Sequence, residues 1–170
     1  AFGEHTGIST EFIDYITGLK NGVASHLFLY SYDAAELSDL AWRLLGRYIA
    51  NDSGELEELH MAFCGITNEK MVLLFRELSR SKLQELNIDG NELGIEGVRS
   101  MIPFLSNSPN LRVIDFSQND NFNTECFELI IQTLNGVCPV ESLLFEHCNI
   151  TDISVLDTYT PSNLQQLNLK

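Results

Sequence analysis

Apolar and polar residues alternate over short stretches of this chain, give way to a helical period, and then alternate again. In the stretch from Leu83 to Leu93, Leu83, Leu86, Ile88 and Leu93 are apolar and Asn91 is the one polar residue inside the pattern L-x-x-L-x-L-x-x-N-x-L. Leu86 and Ile88 then face one side and Asn87 and Asp89 the other, as in a short strand with one buried face. The same template fits Leu56, Leu59, Met61, Cys64 and Ile66, then Leu111, Ile114, Phe116 and Asn119, then Val140, Leu143, Phe145, Cys148 and Ile150. A degenerate first copy runs through Ala24, Leu27, Leu29 and Tyr32, and a partial last copy through Leu164, Leu167 and Leu169. The copies begin at 24, 56, 83, 111, 140 and 164, in steps of 32, 27, 28, 29 and 24 residues. Self-similarity at such a period predicts stacked supersecondary units that share one core.

Between the strand patterns the spacing becomes i, i+3, i+4, i+7, the period of a helix with one buried face. The first set is Leu37, Leu40, Ala41, Leu44, Leu45 and Tyr48, and the second Met71, Val72, Leu74, Phe75 and Leu78. Val98, Met101, Ile102 and Leu105 make the third, and Phe127, Ile130, Ile131 and Leu134 the fourth. Trp42 also sits at a helix-period position and is expected in the core. Asp33 with Glu36 suggests a capping box, Thr67 and Thr124 are candidate N-caps, and Gly136 is a candidate C-terminal stop. Pro103 lacks a backbone donor, so the third helix is expected to kink or end early. The fifth unit, of 24 residues, has room for little helix. Ahead of the repeats, Phe12, Ile13, Tyr15, Ile16 and Leu19 after Ser9 and Thr10, closed by Gly22, predict a helix within residues 1–23.

On these residues the chain resembles leucine-rich repeat proteins of the ribonuclease-inhibitor-like subfamily, which have long repeats. The likeness rests on two alternating turn types. Leu56–Thr67 and Val140–Thr151 carry the Cys form, and Leu83–Leu93, followed by Gly94-Ile95-Glu96-Gly97-Val98, carries the Asn form. The resemblance implies an α/β solenoid, a horseshoe with a parallel sheet on the concave face and helices on the convex face. It covers residues 24–170 as about five repeats plus a partial last strand, with residues 1–23 as the helix of a preceding or capping unit.

The chain is acidic, with 10 Lys+Arg against 24 Asp+Glu and a net charge of −14, which disfavours nucleic acid and favours a protein partner with a basic surface. No apolar run approaches a membrane span, and no secretion signal is visible. Cys64 and Cys148 occupy equivalent turns three repeats apart, roughly 15 Å at about 5 Å per strand step, too far for a disulfide. Cys126 and Cys138 bracket one helix and could meet only by distortion. A reducing, intracellular compartment is therefore expected, with the cytoplasm first. The sequons Asn51-Asp52-Ser53 and Asn149-Ile150-Thr151 weigh weakly against this. A chain that starts without Met and stops within a strand pattern at Leu169-Lys170 is expected to be part of a longer protein or larger assembly.

Binding is expected on the strand side, where a repeat stack displays its variable positions as one surface. The template puts Phe28, His60, Asn87, Asp115, Leu144 and Asn168 in a central column. Tyr30, Ala62, Asp89, Ser117 and Glu146 flank it on one side, and His26, Glu58, Glu85, Val113 and Ser142 on the other. Two features stand out: an aromatic cluster of Phe28, Tyr30, His60 and Phe63, and an acidic stripe of Glu58, Glu85, Asp89, Asp115 and Glu146. With Asn87 and Leu144 these are the candidate partner-binding residues.

No catalytic set emerges. His26 and Glu58 read as a surface ion pair rather than an acid–base dyad, His60 and His147 are three repeats apart, and zinc at His26, Glu58 and His60 would lack the spacing of a structural site. Gly94-Ile95-Glu96-Gly97 lacks the Lys-Ser/Thr ending of a phosphate loop and reads as a turn into a helix. No enzyme activity, metal or cofactor is expected. The leading reading is a non-catalytic protein-interaction scaffold. The alternatives are a GTPase-activating or other enzyme-regulating repeat protein, with Arg112 as the one basic candidate before Lys170, or the sensing or substrate-recruiting module of a larger signalling or ubiquitin-ligase protein.

Overall fold

The computed structural model describes residues 25–29, 37–50, 56–78, 81–136 and 139–170. The helix expected in 1–23, the start at Ala24, Tyr30, Tyr32, the Asp33–Glu36 capping box, the Asn51 sequon and Cys138 lie outside the described residues.

In each copy the first leucine position of the L-x-L pair and the residue on either side of it form a three-residue strand: β1 (His26–Phe28), β2 (Glu58–His60), β3 (Glu85–Asn87), β4 (Val113–Asp115), β5 (Ser142–Leu144) and β6 (Gln166–Asn168). They make one parallel sheet in sequential order. The register sets Leu27, Leu59, Leu86, Ile114, Leu143 and Leu167 side by side on the core face. Backbone bonding runs on past the strands, with the Phe63 amide donating to Asp89 O at 2.9 Å, Gly90 to Ser117 O at 3.0 Å and Gln118 to Glu146 O at 2.7 Å.

Four helices connect the strands: α1 (Asp39–Ile49), α2 (Asn68–Glu77), α3 (Ile95–Ser106) and α4 (Thr124–Leu134). The fifth connection holds only a 3₁₀ turn, Ser154–Asp157, as its length foretold. Successive helices pack on one another while successive strands pair. Strands sit about 4.8 Å apart and packed helices 8–10 Å, so the stack curves with the sheet inside. Between the layers lies one continuous core, with Leu59, Leu86, Met101, Ile114, Phe116, Phe127 and Leu143 fully buried.

The helix phases need one correction. Leu40, assigned above to a buried face, is 62% exposed, while Trp42 is 1% exposed. The buried arc of α1 is Ala41, Trp42, Leu45 and Ile49. Leu40 lies about 200° around the helix from Trp42, so seating the largest side chain turned it outward. Val72 is likewise exposed on α2.

The helix ends follow capping chemistry. Ser38 Oγ accepts from the Ala41 amide at 3.3 Å at the start of α1. Thr67 is the N-cap of α2, though its hydroxyl bonds the Glu69 carboxylate, which holds that pKa below the usual range. The cap of α4 is Asn123, whose side chain accepts from Cys126 N–H at 3.1 Å. Thr124, expected in that role, is one residue inside the helix, and its Oγ1 accepts from the Thr151 amide at 2.9 Å. Asn outranks Thr as a cap, which decides between the neighbours. Gly136 follows the end of α4 with φ 79°, in the left-handed region, as a stop residue should.

Pro103 does not end α3, which continues to Ser106. Pro103 faces solvent, so the Arg99 carbonyl it deprives of a partner lies on the outer, hydrated side of the helix. The start of α3 is tied to the unit before it: Asn68 Oδ1 accepts from Gly94 N–H at 2.8 Å and Gly97 N–H at 3.0 Å. A Cβ at Gly97 would lie 2.7 Å from that oxygen, so glycine is what allows the contact.

A ladder of turn side chains stitches the strand ends. Asn91 Nδ2 donates to Met61 O at 2.8 Å, and its Oδ1 accepts from the Cys64 and Ile66 amides at 3.1 and 3.0 Å. Asn119 Nδ2 donates to Ile88 O at 3.1 Å, and its Oδ1 accepts from Leu93 N–H at 2.9 Å. In the Cys turns, the Cys64 thiol donates to Leu29 O and that of Cys148 to Phe116 O. The pairing of buried turn amides expected from the sequence is therefore present.

Candidate functional site

On the face of the sheet away from the helices, the register brings together the predicted columns. Phe28, His60, Asn87, Asp115, Leu144 and Asn168 are direct neighbours, as are His26, Glu58, Glu85, Val113 and Ser142. Tyr30 lies outside the described residues, so the first position of the third column is not described.

The β1–β2 end is aromatic and histidine-rich. Phe28, 41% exposed, stacks parallel to His26 at 6.1 Å between centroids and tilts over His60 at 4.7 Å. His60, expected on the open face, is only 8% exposed because Phe28 covers it and two carboxylates hold it. Its Nε2 lies 3.6 Å from Glu58 and 3.4 Å from Glu85. Glu58 also reaches His26 Nε2 at 3.3 Å, the predicted surface ion pair.

Phe63 belongs elsewhere than expected. It sits beyond β2 in the turn with φ 55°, and its ring covers Gly90, where a Cβ would lie 2.4 Å from ring carbons. Phe63, Gly90, Gln118 and His147 hold equivalent positions, all in the left-handed region, with φ of 55°, 64°, 54° and 57°. Glycine adopts this conformation freely, whereas a bulky side chain rarely does. The ring is thereby swung to the rim of the sheet, 51% exposed, instead of joining the Phe28 cluster.

The β3–β5 end is acidic. Asp89 Oδ2 accepts from Gln118 Nε2 at 3.3 Å, while its Oδ1 is buried without a hydrogen-bond partner. Burial, then the charge of Asp115, with a smaller push from Glu146, raises the Asp89 pKa; the Gln118 bond opposes this. Asp115 Oδ1 accepts from the Ser117 amide at 2.9 Å and Asn87 Oδ1 from the Asp89 amide at 3.0 Å, so both side chains also brace their own strand. Glu146 is bonded by Asn168 Nδ2 and is exposed, and Leu144 is half-buried between. The predicted acidic stripe thus divides into Glu58 and Glu85, which hold histidines, and Asp89, Asp115 and Glu146, which do not. Gln118 was not anticipated; its signal is its place in the left-handed column occupied by Phe63 and Gly90.

The family described as Leucine Rich repeat matches residues 81–101, which span β3, the Asn91 turn and the first part of α3. With six parallel strands alternating with helices, that decides the architecture. The fold is a leucine-rich repeat solenoid. No curated protein matches the chain.

Arg112, the basic candidate considered for a regulatory role, precedes β4 rather than lying in a column of the repeat face. It is held by Glu141 at 3.5 Å and by Pro109 O at 3.2 Å. Cys126 and Cys148 are free thiols in this solenoid. Burial pushes Cys148 up to about 11, which keeps it protonated and a poor nucleophile. Among the described residues, no group of three or more His, Cys, Asp or Glu is arranged to hold a metal, and no helix is long and apolar enough to cross a membrane.

Proposed function

We propose that this leucine-rich repeat chain is a non-catalytic scaffold that binds a protein partner with a basic surface across its concave strand face. The observation that carries the reading is the sheet register. It presents side chains of six adjacent strands as unbroken columns, held from behind by a dry core. Side chains fixed in this way lose little freedom on binding, and an exposed aromatic such as Phe28 is a common anchor. Repeats of this kind generally act in protein–protein interaction, which supports the reading by association. The long, helix-bearing units favour the ribonuclease-inhibitor-like subfamily, and the free thiols fit a reducing, intracellular setting with the cytoplasm first. An enzyme-regulating role through Arg112 is less well supported, because its guanidinium is already engaged. A recruiting module of a larger protein would use the same face.

The test is affinity capture with covalent cross-linking from native extract, comparing the unaltered chain with a Phe28→Ala/Asp115→Lys variant that melts cooperatively. Cross-links should map to β1–β5 and vanish with the variant. Cross-links confined to the helices, unchanged in the variant, would move the interface to the convex side and sink the reading.

A further inference from the structure

The concave face has two unlike halves, and their arrangement restricts what can lie on it. At the β1–β2 end, two large apolar side chains remain exposed although the core beneath them is closed: Phe28 at 41% and Phe63 at 51%. Across β3–β5, three carboxylates face outward without a cation. Elsewhere acidic side chains find one, as Glu77 meets Arg47 at 3.3 Å, Glu125 meets Arg99 at 3.1 Å and Glu141 meets Arg112 at 3.5 Å. Among the described residues, no ion pair reaches Asp89, Asp115 or Glu146. Like charges this close on a sheet disfavour one another, as the push of Asp115 and Glu146 on Asp89 shows.

We propose that the concave face takes a bipartite segment of a protein partner, running across the strands, with an aromatic or aliphatic side chain against Phe28 and an arginine against Asp89, Asp115 and Glu146, its guanidinium beside Phe63 at the rim. This rests on the concave-face reading above and adds the chemistry of the occupant. Arginine fits better than lysine because its planar fork can bond carboxylates on two neighbouring strands at once and can stack on the rim face of Phe63. Phe28 and Asp115 are three strands apart in register, about 14 Å at 4.8 Å per step, which an extended segment spans in about four residues at 3.3 Å each. The raised pKa of Asp89 agrees with a site that lacks its counter-charge.

The probe is a displayed library of random linear peptides, selected on the full chain at low salt. Three variants, each first shown to melt cooperatively, serve as comparisons: Phe28→Ala, Phe63→Asn, and the triple Asp89→Asn/Asp115→Asn/Glu146→Gln. Asn tolerates the left-handed backbone at position 63, so that variant removes the ring without unseating the turn. The expected result is enrichment of peptides with an arginine about four residues from an aromatic or aliphatic residue. Their affinity should fall about tenfold or more in the triple variant and in Phe63→Asn, and should weaken with added salt. Peptides that lose affinity in Phe28→Ala but carry no arginine, or that ignore the triple variant, would overturn the bipartite proposal and leave concave-face binding standing. Peptides indifferent to all three variants, or no enrichment over a blank support, would count against both.

Discussion

The two inner turns of the stack, at Asn91 and Asn119, and the two outer ones, at Cys64 and Cys148, occupy the same place in the repeat but join their neighbours unequally. Asn91 makes five hydrogen bonds, three of them to the preceding unit through Met61, Cys64 and Ile66. Asn119 makes four, two of them to the preceding unit. The Cys148 thiol bonds one carbonyl of its neighbour, and the Cys64 thiol bonds Leu29 O of its neighbour and Ala62 O within its own turn. A carboxamide both donates and accepts, so it can serve the carbonyls and the amides of the adjacent turn; a thiol is a weak donor and serves carbonyls only. Where the repeat template accepts either residue, the choice therefore grades the cohesion of the stack, stronger at Asn91 and Asn119 than at Cys148.

The harshest way to break this contrast is Asn91→Leu, which orphans two buried amides and a carbonyl; we expect a loss on the order of 3 kcal/mol in urea unfolding. Asn119→Leu should cost somewhat less, about 2 kcal/mol, because one amide fewer is stranded. If the two Asn replacements proved no worse than the Cys ones, the ladder would not be what holds the inner units. Cys148→Ala, which forfeits one weak bond at a half-buried site, should cost about 1 kcal/mol or less, measured the same way. Hydrogen exchange sharpens the comparison within one molecule, since the Cys64 and Ile66 amides should be better protected than Ser117.

The smallest effect concerns the concave side of the same inner units. Asp89 has a folded-state pKa above its unfolded value of about 3.9, so the folded protein holds this proton where the unfolded chain has already released it. The stabilisation this gives is complete below the unfolded pKa and is lost as pH rises through the folded one. Asp89→Asn should accordingly be slightly more stable than the parent at neutral pH, with the advantage shrinking as pH falls toward 3.9. An advantage that grew on acidification would reverse the assigned sign.

Much of this was legible in the sequence because strand register in a repeat is fixed by one short pattern. Leu59, Leu86, Ile114 and Leu143 could be aligned on paper, and the structure pairs them so. What stayed hidden depends on rotations of a single residue. Leu40 and Trp42 are both apolar, and only packing decides which turns inward. Asn123 and Thr124 are both capping residues, and the helix begins one residue earlier than a Thr124 cap would set it. Phe63 was grouped with Phe28 and His60, but the turn carries it into the left-handed region and to the rim. The burial of His60 follows from Phe28 and Glu85 on neighbouring strands, information that no single repeat contains.

The turn ladder has a direction. Each of Cys64, Asn91, Asn119 and Cys148 reaches back to the unit before it. During synthesis, a unit leaving the ribosome therefore meets acceptors and donors on a unit already made, and the turn amides of that earlier unit, such as Cys64 and Ile66, gain their acceptor only when the next Asn arrives. Each new coil therefore completes the one before it, so an array cut short leaves its last turn with amides that lack their acceptor.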